Sequence, residues 1–327
     1  MKKRIDLINL RLSAVAVMAT LHSAYPVTTQ ASCGTAFCGV NTSWDAQGLW
    51  NQPGLRADLR FEYIDQDQPR HGSDRVAVGE LQRHHDELRT INRNWLLNLD
   101  YSFDEHWGVS LVVPYVDRDH EHIHHHHGHQ LPQAWNFTEL GDVRLIGRYQ
   151  FASQPFKDSR HGLKFGLKLP SGDHEVTNAD GSLAERTLQP GSGTTDLILG
   201  AYFQHAGFDS RLRWFGQVLW QQPLDERADF RPGYQLSLDA GLSYGLGERA
   251  TALLQANAQV KGRDSGADAE REDSGSQTLA ISPGIGYALT PATQVYAFVQ
   301  LPVYQYVNGV QLTADVAWVA GMSMAFE

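Results

Sequence analysis

The sequence predicts an all-β protein, a transmembrane antiparallel β-barrel of twelve strands with both termini in the periplasm. Three observations carry that reading. Apolar and polar residues alternate over segments longer than the strands of soluble sheets; the number of such segments is even; and the connections between them alternate between long and short. Residues 311–326 show the alternation most clearly. One parity is apolar throughout (Leu312, Ala314, Val316, Trp318, Ala320, Met322, Met324, Phe326), and the other holds Thr313, Asp315, Gly321 and Ser323 among small apolar residues. Period two gives a strand one greasy face. Globular strands average about five or six residues, whereas a bilayer core takes about 9–11 tilted ones. With the apolar parity in lipid, Trp318 and Met322 face outward and Asp315 faces the lumen.

The other strands follow in order. Residues 55–63 place Leu55, Leu59, Phe61 and Tyr63 on one face and Arg56, Asp58, Arg60 and Glu62 on the other. After a polar loop comes 91–103, with Trp95, Leu97, Leu99 and Tyr101 outward and Asn94, Asn98 and Asp100 inward; Arg93 interrupts the outer face near one end. A tight connection leads to 107–115, and a second long loop is expected over 117–137. Residues 143–151 and 163–169 alternate in the same way, with Asp142, Arg144, Arg148, Lys164 and Lys168 inward. A third long loop spans 171–193. Residues 195–203, 212–220, 234–246, 250–260, 279–289 and 295–303 supply the next six strands, and a short loop at 304–310 leads to the last. Twelve is even, as single-chain bacterial barrels require, and in such barrels the short turns are periplasmic and the long loops external. A soluble β-sandwich would show strands nearer five or six residues. Aromatics near strand ends (Trp95, Trp107, Tyr115, Trp214, Trp220, Tyr234) stand where interfacial girdles belong.

The 327 residues carry a formal net charge of −10, which argues against a nucleic-acid partner because no basic stripe offsets it. No apolar run approaches the roughly 18–20 residues of a membrane helix. Residues 1–31 read as a signal peptide, with Lys2, Lys3 and Arg4 before an apolar run and a small-x-small site at Thr29-Gln30-Ala31. Residues 32–53 then form a periplasmic segment or plug, and 54–327 the barrel. Cys33 and Cys38 are the only cysteines. In an oxidising compartment they read as a disulfide, with a soft-metal or redox site as the alternative.

Three stretches carry a resemblance: Leu140-Gly141-Asp142-Val143-Arg144-Leu145, Gly166-Leu167-Lys168-Leu169-Pro170-Ser171-Gly172 and Gln189-Pro190-Gly191-Ser192-Gly193. Together they resemble the outer-membrane barrel family named for the meta-pathway of phenol degradation, whose members are often labelled transporters. The resemblance covers residues 140–203. It implies a barrel in the Gram-negative outer membrane associated with uptake of small, often hydrophobic molecules, and it carries over no catalytic residue. Its motifs mark turns and strand starts.

Two constellations bear on chemistry. The expected second loop holds His120, His122, His124, His125, His126, His127 and His129, with Asp119 and Glu121 among them. Such tracts are compositional signals for Zn, Cu or Ni, here as a captured ion that the fold does not require. Eleven of the fifteen histidines fall in the expected external loops, His71, His84, His85 and His174 included. The second constellation is the inward charge: Arg56, Arg60, Asp100, Asp142, Arg144, Arg148, Lys164, Lys168, Arg211, Arg213 and Asp239. These residues either line a selective pore or pair to seal the lumen. A hydrolase needs a nucleophile beside an oriented base, and the histidines outside the loops (His106, His161, His205) all fall at expected periplasmic turns. The expected function is an outer-membrane channel for a small solute with a metal-capturing loop, not an enzyme. Its alternatives are a metal-binding surface receptor or adhesin with a sealed lumen, and a membrane hydrolase.

Overall fold

The computed structural model of the chain describes residues 39–44, 47, 53–81, 85–126, 129–152, 158–207 and 211–326, with His126 described by its backbone alone. The expected signal peptide, Cys33, Cys38, His84 and His127 lie outside the described residues, as does most of the 32–53 segment.

The strands are β1 (Gly54–Gly72), β2 (Asp74–Arg75), β3 (His85–Ser102), β4 (Trp107–His126), β5 (His129–Leu140), β6 (Arg144–Gln150), β7 (Ser159–Lys168), β8 (Asp196–Ala206), β9 (Leu212–Pro223), β10 (Gln235–Leu246), β11 (Ala250–Lys261), β12 (Ser276–Thr290) and β13 (Thr293–Phe326). Eleven of them close an antiparallel ring, each beside its sequence neighbour, and β13 returns to pair with β1. β2 and β5 lie off the ring, against β1 and β4. Closure leaves the ring itself without a free edge, which is what lets strands stand in lipid. The apolar parity faces out: Leu59, Trp107, Leu145, Phe165, Leu242 and Ile285 are all exposed on the bare chain, and Trp318 and Met322 are 52% and 43% exposed. Aromatic pairs such as Trp107 with Tyr149 (4.7 Å) and Phe203 with Trp214 (4.9 Å) gather near the end where β1 begins and β13 finishes.

Three expectations are corrected. First, the ring counts eleven strands where twelve are expected, because 295–303, the 304–310 connection and 311–326 run together in the 34-residue β13. Residues 293–307 of β13 pair with β12 and residues 307–326 with β1. The strand passes from one neighbour to the other at Val307, and Gly309 just beyond takes the left-handed φ of +57° that glycine tolerates.

Second, the expected loop at 117–137 is strand: β4 continues to His126 and turns back as β5, paired from Tyr115↔Leu140 to His126↔His129. The β4 half carries Asp117, Asp119 and Glu121 on its outer face and Arg118, His120 and His122 on its inner face, so no apolar parity betrays that half. Above the lipid, alternation loses its cause. Third, Asp315 is exposed and paired with Arg75, outside the lumen. The register against β1 shifts between Ile64 and Gln66, opposite Ala317 and Ala314, and that irregularity inverts the parity beyond it. Leu312, expected in lipid, is 1% exposed for the same reason.

Candidate functional site: a lumen occupied from both ends

The inward parity builds the site. From the end where β1 begins, residues 39–44 run inside the barrel. Trp44 donates its indole N–H to Asp58 Oδ2 (3.0 Å) and meets Tyr296 edge-on at 4.8 Å. Val40 and Trp44 pack with Ile64, Leu253, Phe298 and Val319, an apolar patch within an otherwise polar wall. Asn41 is held on both sides: its N–H donates to Gln255 Oε1 (2.9 Å), and its side-chain amide donates to Asp239 Oδ2 (3.0 Å). Arg60 donates to Val40 O (3.0 Å) and Thr42 Oγ1 (2.9 Å) while pairing with Glu62 at 2.8 Å.

At the other end the chain between β7 and β8 folds inward, and the three motif stretches explain how. Asp142 Oδ1 accepts the Gly172 N–H (3.0 Å), and Oδ2 accepts the Ser192 N–H (2.9 Å) and hydroxyl (3.0 Å). Lys168 stands 3.1 Å from both Asp142 and Asp196. The glycines permit the approach: a Cβ on Gly191 would fall 2.6 Å from Gly172 O, and one on Gly172 would fall 2.8 Å from the Gly141 carbonyl carbon. The motifs thus do more than mark turns; they form one junction that ties the loop to β6 and β7. Beyond it, Leu188 and Ala184 pack on Val116, Trp135 and Phe137, and Arg118 donates to Leu188 O.

Between the two insertions lies a cavity of about 490 Å³. Of the inward residues expected from sequence, Arg60, Asp142, Arg144, Lys168 and Asp239 line it. Arg56, Asp100 and Arg148 instead line a small recess near the end where β1 begins. Lys164 is buried with its Nζ 5.8 Å from the centre of the Tyr202 ring. Arg213 lies half-buried on the inward parity of β9. Arg211 is exposed in the turn before β9, so it is not a lumen residue; the strand begins one residue after it. The wall also carries many amides that the charge pattern did not single out, among them Gln66, Gln217, Asn257, Gln259 and Gln300.

The histidines divide. Within the expected tract His120 and His122 are the buried members among the described residues, 1% and 4% exposed, and they meet His85, Glu87 and Glu185. The ligand atoms of His85, Glu87, His122 and Glu185 lie within 4.8 Å of one another. His125 turns to Asp86 (2.7 Å), His124 is half-buried and His129 is exposed. Trp95 and Tyr115 pair across β3 and β4, and beyond them the outer face is charged, Arg93 pairing with Asp117 and Asp119. The cluster therefore sits above the lipid-facing belt. Burial opposes charge on His85, but Glu185 and Glu87 outweigh it and push its pKa up to about 12. Burial pushes His120 down to about 3 against the pull of Glu185. Burial also works against an ionised Glu185, yet His85 and His122 hold its carboxyl below the usual range. Sequence reasoning missed Glu87 and Glu185. A His-x-Glu on β3 opposite His-x-His on β4 was the available signal for Glu87; Glu185 had none, since it arrives from a loop.

Among the hydrolase candidates, Ser159 Oγ lies 2.8 Å from His205 Nδ1 across β7 and β8, and no carboxylate among the described residues bonds to that imidazole.

Comparison with known proteins places this arrangement. Residues 66–316 match the family described as "Putative MetA-pathway of phenol degradation". No curated protein matches the chain. Among solved structures, the COG4313 outer membrane channel from Pseudomonas putida F1 superposes with a TM-score of 0.62 at 10% identity, over 85% of this chain and 97% of that one. The NanC porin (TM-score 0.47, 12% identity, 83% and 100%) and the CymD monoaromatic hydrocarbon channel (0.41, 10%, 92% and 98%) are more distant. The chain belongs to this phenol-degradation family and shares the closed β-barrel fold of an outer membrane channel.

Proposed function

We propose that the chain is a channel for a small polar solute, its lumen closed at rest by the N-terminal segment from one end and by residues 171–193 from the other. The cavity carries the reading. At about 490 Å³ it has room for a small molecule, and its wall sets Lys168 with Asp142 and Asp196, and Arg60 with Glu62, among amide side chains. Such a wall replaces a polar solute's hydration and screens by charge. Arg144 and Asp239 act in the cavity, and Arg56, Asp100 and Arg148 form a second filter at the end where β1 begins.

The long-loop end lies outside the cell and both termini lie in the periplasm, after removal of residues 1–31 and closure of a Cys33–Cys38 disulfide. β13 counts as two crossings. Unbroken, its 34 residues would reach about 110 Å at ~3.3 Å each, far beyond any bilayer. Supporting the fold-back, Ala325 N donates to Ala292 O (2.8 Å), and a Cβ on Gly321 would touch Tyr296 Oη. Twelve crossings then satisfy the even number of bacterial barrels.

The His-rich hairpin captures a divalent ion of the Zn, Cu or Ni class. The protein is not an enzyme, and turnover of lipid or peptide by folded protein would refute that part. Planar-bilayer recording tests the channel: stepwise currents are expected, larger when residues 32–47 are deleted. Absence of current from both forms rejects conduction. It would leave a metal-binding receptor with a sealed lumen, a reading favoured by the many hydrogen bonds that hold residues 39–44 in place.

A further inference from the structure

We infer that His85, Glu87, His122 and Glu185 form one defined site for a borderline divalent cation, zinc foremost, which staples residues 171–193 onto the barrel wall. The inference rests on the metal-capture reading and narrows it: three of the four ligands lie outside the histidine tract.

Register builds half of the site. His85 and Glu87 share the inward face of β3, and Glu87 stands directly opposite His122 on β4. Glu185 comes from the inward loop, one hydrogen bond away from Leu188, whose N–H donates to Glu185 O at 2.9 Å. The separations suit a small ion. His85 Nε2 lies 2.7 Å from Glu185 Oε1 and 3.0 Å from Glu87 Oε1, and His122 Nδ1 lies 3.5 Å from Glu185 Oε1. Ligands of a tetrahedral zinc stand ~3.3 Å apart, given bonds of about 2.0–2.1 Å. Only small side-chain shifts separate the two arrangements.

The supporting contacts set the tautomer. Gln133 Oε1 lies 2.9 Å from His122 Nε2, placed to accept an N–H there once a bound ion takes the Nδ1 lone pair. His120 is arranged as a reserve fifth ligand. Its Nδ1 is engaged by the Thr90 hydroxyl (2.9 Å), while its Nε2 lies 3.3 Å from His122 Nδ1 and 3.5 Å from Glu87 Oε2.

Two imidazoles and two carboxylates suit zinc, nickel or copper, whereas calcium and magnesium favour six or more oxygens. Charge agrees as well. Two buried carboxylates are costly without compensation, and a divalent cation balances both. The competing account is a metal-free ion-pair cluster centred on a charged His85.

Folded full-length chain in detergent is titrated with zinc against a chromophoric chelator, and with cobalt(II) for its visible absorption. The wild type is expected to bind one equivalent tightly, with the cobalt spectrum of a four- or five-coordinate ion. Glu185→Gln should weaken that equivalent by about 100-fold or more, beyond the 10–100-fold typical of losing a partner behind a ligand. Serine at His124, His125, His126, His127 and His129 together should leave it intact. Because Glu185 lies in a loop, the barrel forms without it, and heat-modifiable migration checks this. Zinc should also slow tryptic cleavage after Arg186 in the wild type and not in Glu185→Gln. Tight binding that survives Glu185→Gln but is lost with the five serines overturns this site and leaves capture by the tract. No binding by the wild type overturns both.

Discussion

Replacing Asp142 with Ala should release residues 171–193 from the barrel mouth. The carboxylate is 8% exposed, accepts three hydrogen bonds from Gly172 and Ser192, and stands 3.1 Å from Lys168. A hydrogen bond to a charged group contributes about 1.5–3 kcal/mol net. Breaking a buried ion pair costs about 3–5 kcal/mol when the remaining charge is stranded. Lys168 is not stranded, because Asp196 is also 3.1 Å away; the cost therefore sits at the low end, roughly 3 kcal/mol.

That is about a 100-fold rise in the loop-open population. Arg186 reports it. Its side chain is 11% exposed and held by His174 O (3.0 Å) and Asp268 (2.9 Å), so trypsin cuts after it only when the loop opens. While reclosing outpaces cleavage, the rate follows the open population. Cleavage after Arg186 should rise about 100-fold in Asp142→Ala and about 10-fold in Asp142→Asn, whose amide oxygen still accepts one donor. Heat-modifiable migration should stay unchanged in both. A rate in Asp142→Ala within about twofold of wild type would refute the assignment of Asp142 as the anchor.

Trp44→Ala removes the indole bond to Asp58 and the ring contact with Tyr296, so it should raise single-channel conductance without altering barrel stability; unchanged currents would place the block elsewhere. In metal-free protein, loop closure should weaken as pH rises above ~6.5. Above that pH the contribution of His85, whose folded pKa is raised to about 12, fades as pH climbs toward 12. Below it the groups oppose one another: His120, lowered to about 3, disfavours acidification, whereas burial raises Glu87 and Glu270 and so favours it. The loss from the lowered Glu185 follows as pH falls below its ordinary carboxylate range. Arg186 cleavage against pH reads this directly, and a flat profile would count against the cluster. Met322→Arg, opposite Leu59 at mid-height of the wall, should cost about 2–4 kcal/mol by denaturant unfolding in vesicles. Asp315→Asn, above the lipid, should shift the midpoint by less than about 0.5 kcal/mol; equal effects would show the register to be wrong.

Sequence alone determined the barrel, because lipid imposes a period that residue types must obey. Leu59, Trp107, Leu145, Phe165, Leu242 and Trp318 face outward as their parity requires, and every segment expected to cross falls on an observed strand, overrunning it by no more than one residue at either end. The rule ends where the lipid ends. The β4–β5 hairpin carries polar residues on both faces and was legible only as a loop. One irregularity opposite Ile64 was enough to turn Asp315 outward. The connection expected at 304–310 is continuous strand, with Gly309 alone of its residues in the left-handed region. The motif around Asp142 was legible as a family mark, but its purpose was not, since Gly141, Gly172 and Gly191 meet only once β6, β7 and the inward loop are assembled. The histidine cluster is the plainest case. Composition identified a run of ligands, while strand register selected His120 and His122 and added His85 and Glu87. Glu185, more than sixty residues along the chain, was brought in by a loop whose path depends on packing against Val116, Trp135 and Phe137, and no local pattern encodes a contact of that range.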